Sequence, residues 1–249
     1  MQREYITNEA WMKIFSFFKT INEIYIGHED RLRRFFEGVY WMNRAGAQWR
    51  LLPPEYGNWN SVFKRFNRLS KKGIWEKLFY FCQKDSDLEF ISIDSTIVRA
   101  HACAAGYGDA KEQGLGRSCG GFSTKIHVKC EALGLPLTIL ITQGQTSDIT
   151  QAKALLGNTV GTYGLADRGY DSDDFRQALI NQNCTPVIPG KSNRLKPIEY
   201  DKHIYKERHV VECFFSKIKY FRRVFSRYDK SICNYRSFVL LAGVHVWLR

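Results

Sequence analysis

The chain has 249 residues, 37 Lys plus Arg against 25 Asp plus Glu, and 44% apolar residues, a globular balance with length for one or two domains. This excludes disordered, collagen-like and mini-protein classes. The longest apolar stretch, Phe238 to Leu248, contains His245 and falls short of the ~20 residues that cross a bilayer, so no membrane span is expected.

The opening residues, MQREYITNEA, lack the hydrophobic core of a signal peptide, and a reducing cytoplasm is the expected compartment. Seven cysteines with no CxxC pair and no Cys/His set at zinc spacing fit that setting. The net charge of +12 is concentrated at the ends: residues 1–83 carry +6, residues 84–199 carry −1 and residues 200–249 carry +7. Basic flanks suit a phosphate backbone, because each Lys or Arg placed on a phosphate releases counterions. Charge alone leaves nucleic acid no better than an even expectation, since many basic proteins bind none.

In chain order, Trp11, Ile14, Phe15 and Phe18 recur at helical spacing, with Thr7 or Asn8 as the cap, and Leu32, Phe35, Phe36, Val39 and Tyr40 define a second helix. A connector with Pro53-Pro54 follows, then helices over about 60–70 and 75–83. Short helices with tight turns are compatible with a helix-turn-helix reader of DNA. In the third helix Val62, Phe63, Phe66 and Leu69 face inward, which leaves Lys64, Arg65, Arg68, Lys71 and Lys72 for phosphates or simply for solvent.

From Leu88 the period changes, as LEFISID alternates and is rich in β-branched residues, so a second domain is expected to begin here. A Gly-rich stretch (106–121) without a Walker or dinucleotide pattern reads as a surface loop. Two strand candidates, STKIHVKCEALG and PLTILITQG, meet at a hairpin-type turn. Then come a helix (Thr150 to Leu156), a strand (Tyr163 to Ala166), a helix (Ser172 to Gln182) and a strand (Thr185 to Ile188). A long amphipathic helix from Lys202 to Phe225 and an apolar C-terminal helix complete the chain. Strands followed by alternating helix and strand imply an α/β domain with a mixed sheet covered by helices.

Three carboxylates sit where chemistry, more than structure, explains them. Asp94 is expected to end the first strand, Asp167 ends the strand at 163–166, and Glu212 lies within the long helix. Aspartates at the carboxyl edge of neighbouring strands repel one another unless a cation lies between them, and a hard divalent ion is the natural partner. At about 100° per residue, Tyr205, Arg208 and Lys219 fall within roughly 40° of Glu212, while Val210, Phe214, Ile218, Phe221 and Phe225 fall on the opposite face. Two aspartates, a glutamate and basic side chains are the parts of in-line phosphoryl transfer assisted by two metal ions. A Ser or Cys triad using His101, Cys103 or His127 ranks far below, because nothing brings these together and no GxSxG is present.

At these residues the sequence resembles the DDE transposases of bacterial insertion sequences, in particular the type-five group. The most specific element is the series Tyr205, Arg208, Glu212, Lys219, with every spacing matched; IDSTIVRAH, GGFSTKIH, Asp167-Arg168-Gly169-Tyr170 and the block GVYWMNRAGAQWRLLPPEYGNWNSVFKRFNRLSKKG also look like family segments. The resemblance implies an RNase H-like DDE catalytic domain over 85–249 behind a helical DNA-binding domain over 1–84. It implies that Asp94, Asp167 and Glu212 bind two magnesium ions, with manganese able to substitute. Tyr205, Arg208, Lys219 and Arg168 are then expected to handle element-end DNA, and the N-terminal helices the terminal inverted repeats. The implied activity is nicking at the element ends followed by attack of the freed 3′ hydroxyl on target DNA, by a homodimer when two ends are synapsed, on the bacterial nucleoid. A repressor with a non-catalytic RNase H-like domain, or a nuclease that cuts without joining, are the alternatives.

Overall fold

The computed structural model describes residues 6–83, 86–118 and 120–249; the boundary expected between residues 84 and 85 lies outside them, as does Cys119. In chain order the elements are α1 (Asn8–Lys19), α2 (Glu29–Ala45), α3 (Trp59–Lys71), α4 (Ile74–Phe81), β1 (Phe90–Ala100), β2 (Gly116–Ser118), β3 (Gly121–Cys130) and β4 (Pro136–Gln143). They continue with α5 (Ala152–Leu156), β5 (Tyr163–Ala166), α6 (Asp173–Asn181), β6 (Thr185–Val187), α7 (Lys202–Tyr205), α8 (His209–Lys219), α9 (Arg222–Phe225) and α10 (Ile232–Trp247). No described helix is long and apolar enough to cross a membrane.

The contacts divide the chain into two units: Met1–Lys84 with His101–Tyr107 and Ile218–Arg249, and Asp85–Ala100 with Gly108–Lys217. The first unit is helical, and its helix starts follow local chemistry. Thr7 caps α1 by accepting the Ala10 N–H at 3.2 Å, and Asn58 caps α3 through the N–H groups of Asn60 and Ser61. Helix α2 ends on Gly46 at φ 64°, where a Cβ would stand 2.8 Å from the Arg222 Cβ, so both the backbone and the space require glycine. Trp75 centres an aromatic core with Phe18, Phe35, Phe36 and Phe66, and Phe66 stacks on Phe238 of α10 at 4.4 Å. A helix as apolar around its circumference as α10 has to be enclosed, and most of its residues are buried.

The second unit is a mixed sheet. Strand β3 runs antiparallel to β1 on one side and to β4 and β2 on the other, while β1, β5 and β6 are parallel neighbours. Alternation of side chains gives each face its own core. Ile91 and Ile93 pack with Ala152, Leu155, Ala166, Phe175 and Leu179 beneath α5 and α6. Phe90, Leu165 and Val187 face the other way, under Tyr200, Ile204, Tyr205 and Val210.

Three expectations are corrected. Strand β1 continues to Ala100, because antiparallel pairing with β3 persists to Arg99 after the parallel pairing with β5 has stopped at Ile93. Asp94 therefore sits inside a strand, at the point where one neighbour ends. The Gly-rich stretch contains the short strand β2. The long helix expected from Lys202 to Phe225 is broken by a 3-10 turn at Lys206–Arg208 and by extended backbone at Phe221 (φ −84°, ψ 101°). Within α8 Val211 and Phe215 join Phe214 and Ile218 in the interior, Phe221 is also buried, and beyond the second break Phe225 is 60% exposed.

Candidate active site

Register builds the site. Ile93 pairs with Ala166 in the parallel ladder, so the next residues, Asp94 and Asp167, lie side by side at the carboxyl edge of β1 and β5. Asp94 shares the strand face of Phe90, and Asp167 follows in alternation from Leu165, which puts both on the face covered by α7 and α8. Asp167 is half-buried, caps the turn Arg168–Tyr170 and accepts the Gly169 N–H at 2.8 Å. Arg168, one residue on, is exposed.

Glu212 falls in the first turn of α8, and the start of this helix is tied to the sheet by the Ser92 hydroxyl, which donates to the Arg208 carbonyl at 3.2 Å. The Arg208 guanidinium then reaches both carboxylates, donating to Asp94 at 2.9 Å and, in a shorter contact, to Glu212. Burial pushes the Asp94 carboxyl above its ordinary range and Asp167 adds to the rise, while the Ser95 N–H and Arg208 oppose it. Desolvation works against the Arg208 charge, but Asp94 and Glu212 together hold its pKa above the usual value. Tyr205 is half-buried against the Leu165 cluster and meets Tyr200 edge-on at 5.4 Å. Lys219 is exposed at the end of α8.

Among the described residues, no three His, Cys, Asp or Glu side chains close around a point as a metal set. The donor chemistry nevertheless fits a hard divalent cation. Asp94 and Asp167 offer carboxylate oxygens at one sheet edge, and the space between Asp94 and Glu212 already accepts a positive charge, that of Arg208.

A polar group behind Asp94 was not anticipated. Asp148 accepts from the Ser95 hydroxyl at 2.7 Å and pairs with Lys125 at 2.9 Å, and Lys125 also donates to the Thr146 carbonyl. The buried Tyr170 hydroxyl makes no hydrogen bond of ordinary geometry. Burial and then the charges of Asp148, Asp94 and Asp167 push its pKa far up, so it remains a neutral phenol. The signal was present in STKIHVK: basic residues alternating within a strand that is otherwise buried need partners. His127 is one of them, fully buried and bonded to Thr142, which leaves it unsuited to a triad.

On α3 and at its C-cap, Lys64, Arg68, Lys71 and Lys72 are exposed. Lys72 donates to the Glu23 carbonyl at 2.8 Å, and Arg65 is turned inward, lying over the Phe35 ring at 4.5 Å and donating to the Ile26 carbonyl.

Residues 85–247 match the family described as Transposase DDE domain, and residues 6–79 match Putative transposase of IS4/5 family. The chain belongs to the DDE transposase family. A putative transposase for insertion sequence element IS6501 from Brucella ovis is 39% identical to this transposase over 129 residues, 51% of this chain and 99% of the relative. A putative transposase for IS402 from Burkholderia cepacia is 29% identical over 47% of this chain and 59% of its own length. The transposase also shares a fold with piggyBac transposase, solved by cryo-EM as a synaptic complex with hairpin DNA: TM-score 0.51, 10% identity, 98% of this chain and 73% of the other. The architecture is thus RNase H-like, a mixed sheet with an N-terminal helical region.

Proposed function

We propose that this transposase binds the terminal inverted repeats of an insertion sequence and catalyses metal-dependent cleavage of its ends and their joining to target DNA. The observation that carries the proposal is the placement of Asp94 and Asp167 at adjacent strand positions, with Glu212 linked to Asp94 through Arg208. Asp94, Asp167 and Glu212 hold two magnesium ions, for which manganese substitutes. Ions bound there supply charge that activates an attacking water or 3′ hydroxyl and stabilises the departing oxygen of an in-line displacement. No protein nucleophile is required.

The protein's own groups orient the DNA. Arg208, Lys219 and Arg168 grip phosphate oxygens near the cut, and Tyr205 borders the same surface. Lys64, Arg68, Lys71 and Lys72 hold the duplex from α3, whereas Arg65 contributes by fixing that helix. The matches to residues 6–79 and 85–247 support a DNA-binding domain over 1–84 and a catalytic domain over 85–249. Joining two ends at once requires at least a dimer, working on the nucleoid in the bacterial cytoplasm.

The test is cleavage of labelled duplex carrying the element's terminal repeat, with magnesium or manganese, by the wild type and by Asp94→Asn. Nicking at the repeat end by the wild type alone is expected, with joined products when target DNA is added. Specific binding by both proteins without cleavage by either would leave a repressor, and cleavage without joining would leave a nuclease.

A further inference from the structure

We infer that Arg208 is a resident counter-ion of the catalytic centre: its guanidinium holds Asp94 and Glu212 together until a divalent cation displaces it and a phosphate takes it up. The inference rests on the catalytic reading above and adds an order of events to it.

Among the described residues, Lys125 and Arg208 pair with carboxylates near Asp94, and they are held differently. Lys125 is nearly buried and is bonded to the Thr146 carbonyl as well as to Asp148, so its backbone partner keeps it in place. The Arg208 guanidinium bonds two carboxylates and no backbone carbonyl among the described residues. Its arm to Asp94 is shielded, with side chains 18% and 20% exposed, while its arm to Glu212 ends on a carboxylate that is 56% exposed. The backbone at Arg208 is anchored by Ser92, so departure of the guanidinium is a swing of one side chain and leaves the helix in place.

Electrostatics makes the swing conditional. Asp94 is already crowded by the charge of Asp167, and withdrawal of Arg208 without replacement would leave the Asp94 carboxylate unpaired in a half-buried setting. A divalent cation competes for the same oxygens, and a freed guanidinium finds a bidentate partner in phosphate. DNA and metal therefore favour each other's binding through one residue, without any change in the fold.

The test is Mn2+ binding to the full chain, read by electron paramagnetic resonance of the free ion in the absence of DNA. Circular dichroism checks that each variant is folded. Arg208→Gln, which removes the competing charge, is expected to bind Mn2+ on the order of tenfold tighter than wild type, the scale on which one neighbouring charge shifts an ionic equilibrium. Arg208→Lys keeps a charge that cannot fork between two carboxylates and is expected to fall between them. Folded Arg208 variants with unchanged or weaker Mn2+ binding would overturn the inference. Mn2+ binding by wild type that persists in Asp94→Asn would instead remove the catalytic reading on which it rests.

Discussion

Lys125, His127 and Lys129 occupy alternate positions of β3, all nearly withdrawn from solvent, and each meets burial in a different way. Lys125 pairs with Asp148 at 2.9 Å and donates to the Thr146 carbonyl. Lys129 donates to the Leu156 carbonyl and the Thr159 hydroxyl, and burial lowers its pKa to about 8. His127 stays neutral: burial lowers its pKa to about 4, against the pull of Asp148. The unfolded chain therefore binds a proton at this residue below about pH 6.5, while the native state does so only near pH 4. Native stability is expected to fall as pH drops through that window, by about 3 kcal/mol from this residue. Urea melts at several pH values should show a shallower acid loss in His127→Gln than in wild type; equal slopes would mean that His127 titrates normally. At this scale the sequence marked Asp94 and Asp167 by their place after apolar strands and Arg208 and Glu212 by their helical spacing, and sheet register sets Asp94 beside Asp167. The sequence did not reveal Asp148, whose partners Ser95 and Lys125 lie 53 and 23 positions away along the chain and meet it only through sheet register.

The elements were legible where local pattern decides them and misjudged where a tertiary contact intervenes. Thr7 and the apolar spacing after it suffice for α1, but nothing local announces that the Arg208 carbonyl will be tied to β1, so the helix expected to run unbroken from Lys202 is interrupted. The length of β1 was underestimated for a similar reason: apolar alternation stops near Asp94, yet β3 continues to supply backbone partners as far as Arg99. Strand β5, which leads directly into Asp167, depends on Gly164, where a Cβ would stand 2.6 Å from the Leu179 Cδ2 of α6. Gly164→Ala is expected to cost about 1–3 kcal/mol in chemical denaturation by displacing the fully buried Leu179 side chain. An unchanged midpoint would show that Leu179 has room to move. For α3, Lys64→Gln combined with Arg68→Gln should weaken duplex binding, reduce its salt dependence by about two phosphate contacts and leave thermal stability unchanged. Arg65→Gln should instead lower stability, because its ring contact and its bond to Ile26 are internal. Equal losses of DNA binding and stability in both variants would contradict that division.

Across the whole molecule the charge pattern and the carboxylates point to one chemistry. Excess positive charge lies in the flanks at 1–83 and 200–249, while the sheet of the second unit sets Asp94 beside Asp167 and Arg208 links Asp94 to Glu212 in the first turn of α8. The order of the acidic residues in the chain was readable, and so was the mixed sheet; the guanidinium lodged between two of the three carboxylates was not, because only folding brings Arg208 to Asp94. The most direct measurement is an anomalous-scattering map of crystals soaked in Mn2+. The expected result is density for two ions roughly 3.5–4 Å apart, both within coordination distance of Asp94, Asp167 and Glu212, with Arg208 turned away. Strong Mn2+ density elsewhere, with the three carboxylates uncoordinated and Arg208 still between Asp94 and Glu212 at saturating metal, would contradict it.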